Sequence, residues 1–134
     1  MSVIDDILEH SHTIAVVGAS GNPQRDSNRI FKYLLDAGYT AIPVNPGETK
    51  VHGQKAYPDL KSIPVKVDLV NIFRKPEAVP PIVDEAIAIG AKAVWMQLGI
   101  KNTAAAKKAR GAGLEVVMDR CIYVEHFKRL KGAR

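Results

Sequence analysis

The residues best placed to do chemistry gather behind a short apolar run. Ile14–Val17 stops at Gly18; Ala19, Ser20, Gly21, Asn22 and Pro23 follow, and then Arg25, Asp26 and Ser27. Small residues let backbone N–H groups come close to an anion, and a helix opening just beyond adds its free amides and the positive end of its dipole. The chemistry this favours is holding a phosphate or pyrophosphate, not breaking a bond. The run is G-x-x-G, not the dinucleotide fingerprint G-x-G-x-x-G, because Ser20 takes the place of the second glycine. A plain strand-to-helix turn uses the same small residues, so the rest of the chain has to decide.

Nucleophiles and metal ligands are sparse. The one cysteine, Cys121, follows Arg120, whose charge favours a thiolate. A packed cysteine is the commoner use of a lone thiol. The four histidines are His10, His12, His52 and His126, and none has metal-ligand spacing to a cysteine or acid. His10 and His12 read as surface residues, His52 lies in a polar loop within reach of a ligand, and His126 belongs on the solvent side of a last helix. Asp26 and Asp119 read as helix caps. No Ser/His/Asp set or carboxylate pair suggests catalysis.

These residues need a scaffold. A chain of 134 residues fits one domain, 1–134, with a real core. One cysteine allows no internal disulfide and fits a reducing compartment. The start, Met1–Asp6, has no basic segment followed by a long apolar one, and apolar runs elsewhere fall short of a membrane span. A cytoplasmic protein without a membrane partner is expected. The net charge of +5 favours anionic ligands. The basic residues are scattered, apart from Lys107–Arg110 and the tail Lys128–Arg134, and lack interleaved aromatics, so no nucleic-acid partner is expected.

Periodicity predicts alternating elements. A short helix capped by Ser2 ends near His10. Strands are expected at Thr13–Val17, Tyr39–Val44, Asp68–Phe73, Ala93–Gln97 and Glu115–Met118. Helices are expected at Ser27–Ala37, with Ile30, Leu34 and Ala37 as the buried stripe, and at Pro76–Ile89, Thr103–Ala112 and Ile122–Leu130. Pro80 and Pro81 fit only a helix's first turn. Pro43 must disturb pairing on one side of its strand. Glu48–Pro58 reads as polar loop with a short edge strand at Lys55–Tyr57. Strands alternating with helices predict an α/β, three-layer, doubly wound parallel sheet of about five strands.

In such a sheet the ligand lies beyond the carboxyl ends of the strands. Those ends are Gly18–Gly21, Asn45-Pro46-Gly47, Phe73-Arg74-Lys75-Pro76, Gln97-Leu98-Gly99 and Asp119-Arg120-Cys121, all small, polar or basic. NAD wants an acid at the end of the second strand to hold the ribose. Asn45-Pro46 stands there, with Glu48 poorly placed beyond a glycine, so NAD is disfavoured. Lys50 could serve the extra phosphate of NADP, which makes a small NADP-dependent oxidoreductase, or its detached cofactor domain, the alternative reading.

Val17–Ser27 (V-G-A-S-x-N-P-x-R-x-S), Gly38–Pro46, Phe73–Glu77 (F-R-K-P-E), Trp95–Gly99 (W-M-Q-L-G) and Asp119–His126 resemble, in this order, the small stand-alone CoA-binding proteins. These are similar to the N-terminal CoA-binding domain of the succinyl-CoA synthetase α-subunit. The resemblance implies a Rossmann-type sheet with coenzyme A at its carboxyl edge. It implies Gly18, Ala19 and Ser20 around the pyrophosphate, near Ser27, with Arg25 and Lys50 neutralising phosphates. It places Val44, Asn45 and Pro46 along the nucleotide, Phe73, Arg74 and Pro76 on its adenine side, and Met96 and Gln97 near the pantetheine. Cys121 follows the fifth strand on the ligand edge, where a mixed disulfide with the CoA thiol is the sharper reading and a packed thiol the plainer one. The synthetase's phosphohistidine domain has no counterpart here. The expectation is therefore a carrier, sensor or accessory of CoA or acyl-CoA, not an enzyme, with a partner enzyme left open.

Overall fold

Successive side chains of a strand point to opposite faces, so an apolar run with no alternation needs cover on both. Residues 13–17 have it: Ile14 and Val16 join one core, Ala15 and Val17 the other. The computed structural model describes residues 2–132. In chain order it runs α1 (Val3–His10), β1 (Thr13–Val17), α2 (Asp26–Asp36), β2 (Thr40–Val44), β3 (Lys50–Val51), β4 (Gln54–Lys55), β5 (Leu69–Ile72), α3 (Val79–Ala88), β6 (Ala93–Met96), α4 (Thr103–Gly111), β7 (Glu115–Val117) and α5 (Ile122–Gly132). Short 3-10 turns lie at Leu60–Ser62 and Pro76–Ala78.

Five strands make one parallel sheet in the order β2-β1-β5-β6-β7. The chain leaves β1 outward to β2, and leaves β5 in the other direction to β6 and β7. The order therefore reverses between β1 and β5. Helices α3 and α4 cover one face through Val79, Val83, Ala86, Ala105, Ala106 and Ala109. Helices α1, α2 and α5 cover the other through Ile7, Leu8, Phe31, Leu34 and Ile122. This is the Rossmann-type α/β sandwich that the alternating pattern predicts. No helix among the described residues is long and apolar enough to cross a membrane.

Asp68 fixes the start of the two central strands. Its carboxylate accepts the N–H groups of His12 at 2.9 Å and Thr13 at 3.0 Å. Burial works to raise its pKa, but these two amides, with Lys92 nearby, outweigh that and hold it below the usual value.

Several local expectations shift. The buried face of α2 is Ser27, Asn28, Phe31 and Leu34; Ile30 is half-buried and Ala37 exposed. Neither Asp26 nor Ser27 caps that helix. Arg25 holds the N-cap position and makes no side-chain cap. Glu48–Pro58 is not simply loop: β3 and β4 pair as a hairpin through His52 and Gly53, both at positive φ, the geometry a tight two-residue turn requires. Only Tyr57 reaches the sheet, bridging to Val44. Tyr57 donates its N–H to the Pro43 carbonyl, so the proline's missing donor faces the outer edge and costs β1 nothing. Pro80 and Pro81 fall in the first turn of α3, as expected.

Candidate functional site

The loop after β1 is shaped from three sides. The N–H of Gly18 donates to the Val44 carbonyl at 2.8 Å. Gly18 has φ +92°, and a Cβ there would lie 2.4 Å from the Phe73 carbonyl oxygen. Only glycine lets the loops after β1 and β5 approach this closely. Asn45, at the end of β2, donates its side-chain amide to the Ala19 carbonyl at 2.9 Å. Asn28, one turn into α2, does the same to the Ser20 carbonyl at 2.8 Å. In a trans peptide the C=O and the next N–H point opposite ways. Holding the Ala19 carbonyl therefore turns the Ser20 N–H away from Asn45. Holding the Ser20 carbonyl turns the Gly21 N–H towards Glu48, whose Oε2 accepts it at 2.8 Å.

A cleft of about 450 Å³ opens beside this loop, lined by Gly18, Ser20, Arg25, Asp26, Ser27, Asn45, Phe73 and Arg74. It lies where the strand order reverses, the place at which open α/β sheets bind ligands. The first amides of α2 have no partner within the helix, and no side chain caps them. Among the described residues neither Arg25 nor Arg74 forms an ion pair. Two uncompensated guanidinium groups and an uncapped helix start suit a multiply charged phosphate group.

The cleft continues on both sides. Arg74 also borders a groove of about 260 Å³ with Val44 and Pro46. Phe73, Arg74 and Asp26 are shared with a cavity of about 380 Å³ that reaches Gln97, Leu98, Ile100 and Cys121.

The model of the CoA binding domain family matches residues 12–127. This chain belongs to that family. As a family member it is similar to a Bacillus subtilis protein, itself described as uncharacterized protein YneT, with 42% identity over 123 residues, 92% of this chain and 91% of that one. The solved structure of a hypothetical protein from Pyrococcus horikoshii superposes with a TM-score of 0.93 at 44% identity, covering 97% of this chain and 93% of that one. An alpha subunit of ADP-forming acetate–CoA ligase (form II) from Pyrococcus furiosus is 41% identical over 68 residues. That match takes in 50% of this chain and 15% of the subunit, so the CoA-binding domain corresponds to a small part of the ligase.

Within the CoA-binding domain the sequence-derived site residues fall into three groups. Gly18, Ser20, Arg25, Ser27, Asn45, Phe73 and Arg74 converge on the main cleft. Val44 and Pro46 line the groove beside it, and Gln97 the cavity on the other side. Ala19, Lys50, Pro76 and Met96 line none of these. The Ala19 side chain is buried under the loop, leaving its backbone as the useful part. Lys50 is held in the hairpin opposite Lys55, outside the cleft. Pro76 opens the turn before α3, and its carbonyl accepts the Asn102 side chain at 3.0 Å. Met96 has no exposed surface and packs into the core under α3 and α4.

Gln97 has a second task. Its Oε1 accepts the Ile122 N–H at 2.9 Å and the Asn71 side-chain amide at 3.1 Å, so it serves as the cap of α5. Asp119, expected as that cap, instead accepts the Gly99 N–H at 2.7 Å with a positive φ of 58°. His126 is not on the solvent side. Tyr33 Oη lies 2.7 Å from its Nδ1, and Tyr33 and Tyr39 meet its ring edge-on. Burial pushes the His126 pKa down. His52 stacks on Phe31, and its Nε2 lies 3.0 Å from Asn28 Oδ1. Asp26, expected as a cap, lines the main cleft; Glu48, expected to be poorly placed for a ligand, holds the Gly21 N–H; and Asn28, which the sequence did not single out, holds the Ser20 carbonyl. A polar asparagine in the buried face of an amphipathic helix is the signal that points to Asn28.

Proposed function

We propose that this chain binds coenzyme A, or an acyl-CoA, along the carboxyl edge of its sheet and acts as a carrier, sensor or accessory without catalysing a reaction itself. The observation that carries this is the cleft between the loops after β1 and β5, with the start of α2 uncapped and, among the described residues, Arg25 and Arg74 free of ion pairs. In this reading the Ser20 and α2 amides hold the pyrophosphate and the two arginines balance its charge. The adenosine lies towards Val44, Pro46 and Arg74, and the pantetheine arm passes Phe73 towards Gln97 and Leu98. Family membership supports the choice of ligand.

Titration calorimetry with CoA, dephospho-CoA, NAD and NADP tests it. CoA is expected to bind most tightly, and a preference for NADP overturns the assignment. A native mass spectrum of the purified protein would show a co-purifying CoA species directly. Incubation with acetyl-CoA is expected to release no free thiol.

A further inference from the structure

The polarity of the molecule changes along the proposed ligand path. The cleft that faces Arg25 and Arg74 exposes mostly polar atoms. The adjoining cavity, between Phe73 and Cys121, exposes mostly carbon. Beyond it lies a third cavity of about 540 Å³, which shares Asp26, Ile30 and Cys121 with the second and adds Tyr33 and Tyr123. Its surface is again mostly carbon. The charged groups at its rim are paired with each other: Arg29 with Asp26, and Lys32 with Asp36 at 2.9 Å. Tyr33 and Tyr123 meet edge to face, with centroids 4.7 Å apart. Along α2 the groove follows the helix from Asp26 to Tyr33, about 10 Å of axis.

A hydrophilic ligand would gain little from such a channel, and CoA alone ends in an amide-linked arm and a thiol. An apolar tail continuing past the thiol would gain the transfer free energy of every methylene it buries. We propose that the groove between α2 and the start of α5 is an acyl-group site, and that the ligand is an acyl-CoA with an unbranched apolar chain of medium length. This rests on the CoA reading above and specifies the group borne on the thiol. Cys121 lies at the junction where the second cavity meets the third, and the acyl chain runs on over Ile30 towards Tyr33 and Tyr123. The paired rim charges offer no free partner for a carboxylate at the chain's end, so succinyl-type acyl groups are disfavoured.

Calorimetry with CoA, acetyl-CoA, succinyl-CoA and octanoyl-CoA on the full chain tests the assignment. Octanoyl-CoA is expected to bind roughly tenfold or more tightly than CoA, with succinyl-CoA no better than CoA. Tyr123→Glu puts a charge on the groove wall at an exposed position; it should abolish the octanoyl preference and leave CoA affinity unchanged. Tyr123→Ala, which adds no charge, should narrow the preference without removing it. Equal affinity for CoA and octanoyl-CoA overturns the acyl site while leaving CoA binding intact. Loss of CoA affinity in Tyr123→Glu overturns it too, because the pantetheine arm itself would then fill the groove. Failure to bind any of the four ligands would instead sink the CoA reading on which the inference stands.

Discussion

Glu48 Oε2 accepts the Gly21 N–H at 2.8 Å, so a carboxylate already occupies one donor of the loop that borders the cleft. Among the described residues Glu48 forms no ion pair that would neutralise it. Its charge therefore opposes a phosphate bound nearby. Glu48→Gln keeps an oxygen acceptor for Gly21 and removes the charge. Its affinity for CoA and for inorganic pyrophosphate is expected to rise roughly 3- to 10-fold at low salt and less at high salt. Calorimetry at two ionic strengths reads both effects, and unchanged affinities would show that the charge is not felt.

Arg25 and Arg74 supply the opposite sign. Each lines the cleft, and neither is committed to an acid within the described chain. Arg25→Ala and Arg74→Ala should each weaken CoA binding roughly 3- to 10-fold, with a shallower dependence on salt. Arg25 is the more exposed of the two, so its loss should matter less. Lys50→Ala, in the hairpin, is the control and should leave affinity within about twofold.

Gly18→Ala tests the closest approach in the site. The added methyl would meet the Phe73 carbonyl at 2.4 Å, and φ is +92°. Both the contact and the backbone conformation penalise alanine, so a loss of about 2–4 kcal/mol is expected. Denaturant unfolding measures it. Gly38→Ala separates the two causes, since φ there is +99° and nothing lies within 4 Å. Its smaller loss should be the backbone contribution alone.

His126 makes stability depend on pH. Burial lowers its pKa below the ordinary 6.5, so the unfolded chain binds the proton more readily than the folded one. Stability is therefore fully present above about pH 6.5 and falls as the pH drops through the lowered value. In the neutral ring an unprotonated Nδ1 accepts from the Tyr33 hydroxyl; protonation turns Nδ1 into a donor and reverses that bond. Melting temperatures between pH 7.5 and pH 5 should decline, and His126→Gln should flatten that decline. An unchanged slope in the variant would place the titrating group elsewhere.

The outline of the fold was readable because its signals are local and repeated. Apolar runs without alternation marked β1, β5 and β6, and Gly38, Gly90 and Gly113 marked the ends of helices. That Gly18, Ser20, Arg25 and Arg74 meet at one cleft was legible for the same reason, since the topology brings strand ends to one edge. What escaped depends on partners distant in sequence. The Glu48 bond to Gly21 spans 27 residues, and the Gln97 bond to Ile122 spans 25. Lys50 stands outside the cleft because the polar run around it folds into a hairpin with a two-residue turn at His52-Gly53. Met96 lies in the core because one residue of strand separates the last core side chain from the first at the edge. The strand ends at Met96, and the side chain of Gln97 is already turned to the α5 cap.

The molecule also carries its own optical reporter. Trp95 is the sole tryptophan, and its indole N–H donates to the Arg120 carbonyl at 2.8 Å, one residue before the thiol at the cavity junction. A guest that shifts the Arg120–Cys121 peptide must alter that bond and with it the emission of the indole. Label-free fluorescence can therefore follow filling of the channel in real time, with the wild-type chain and no attached dye.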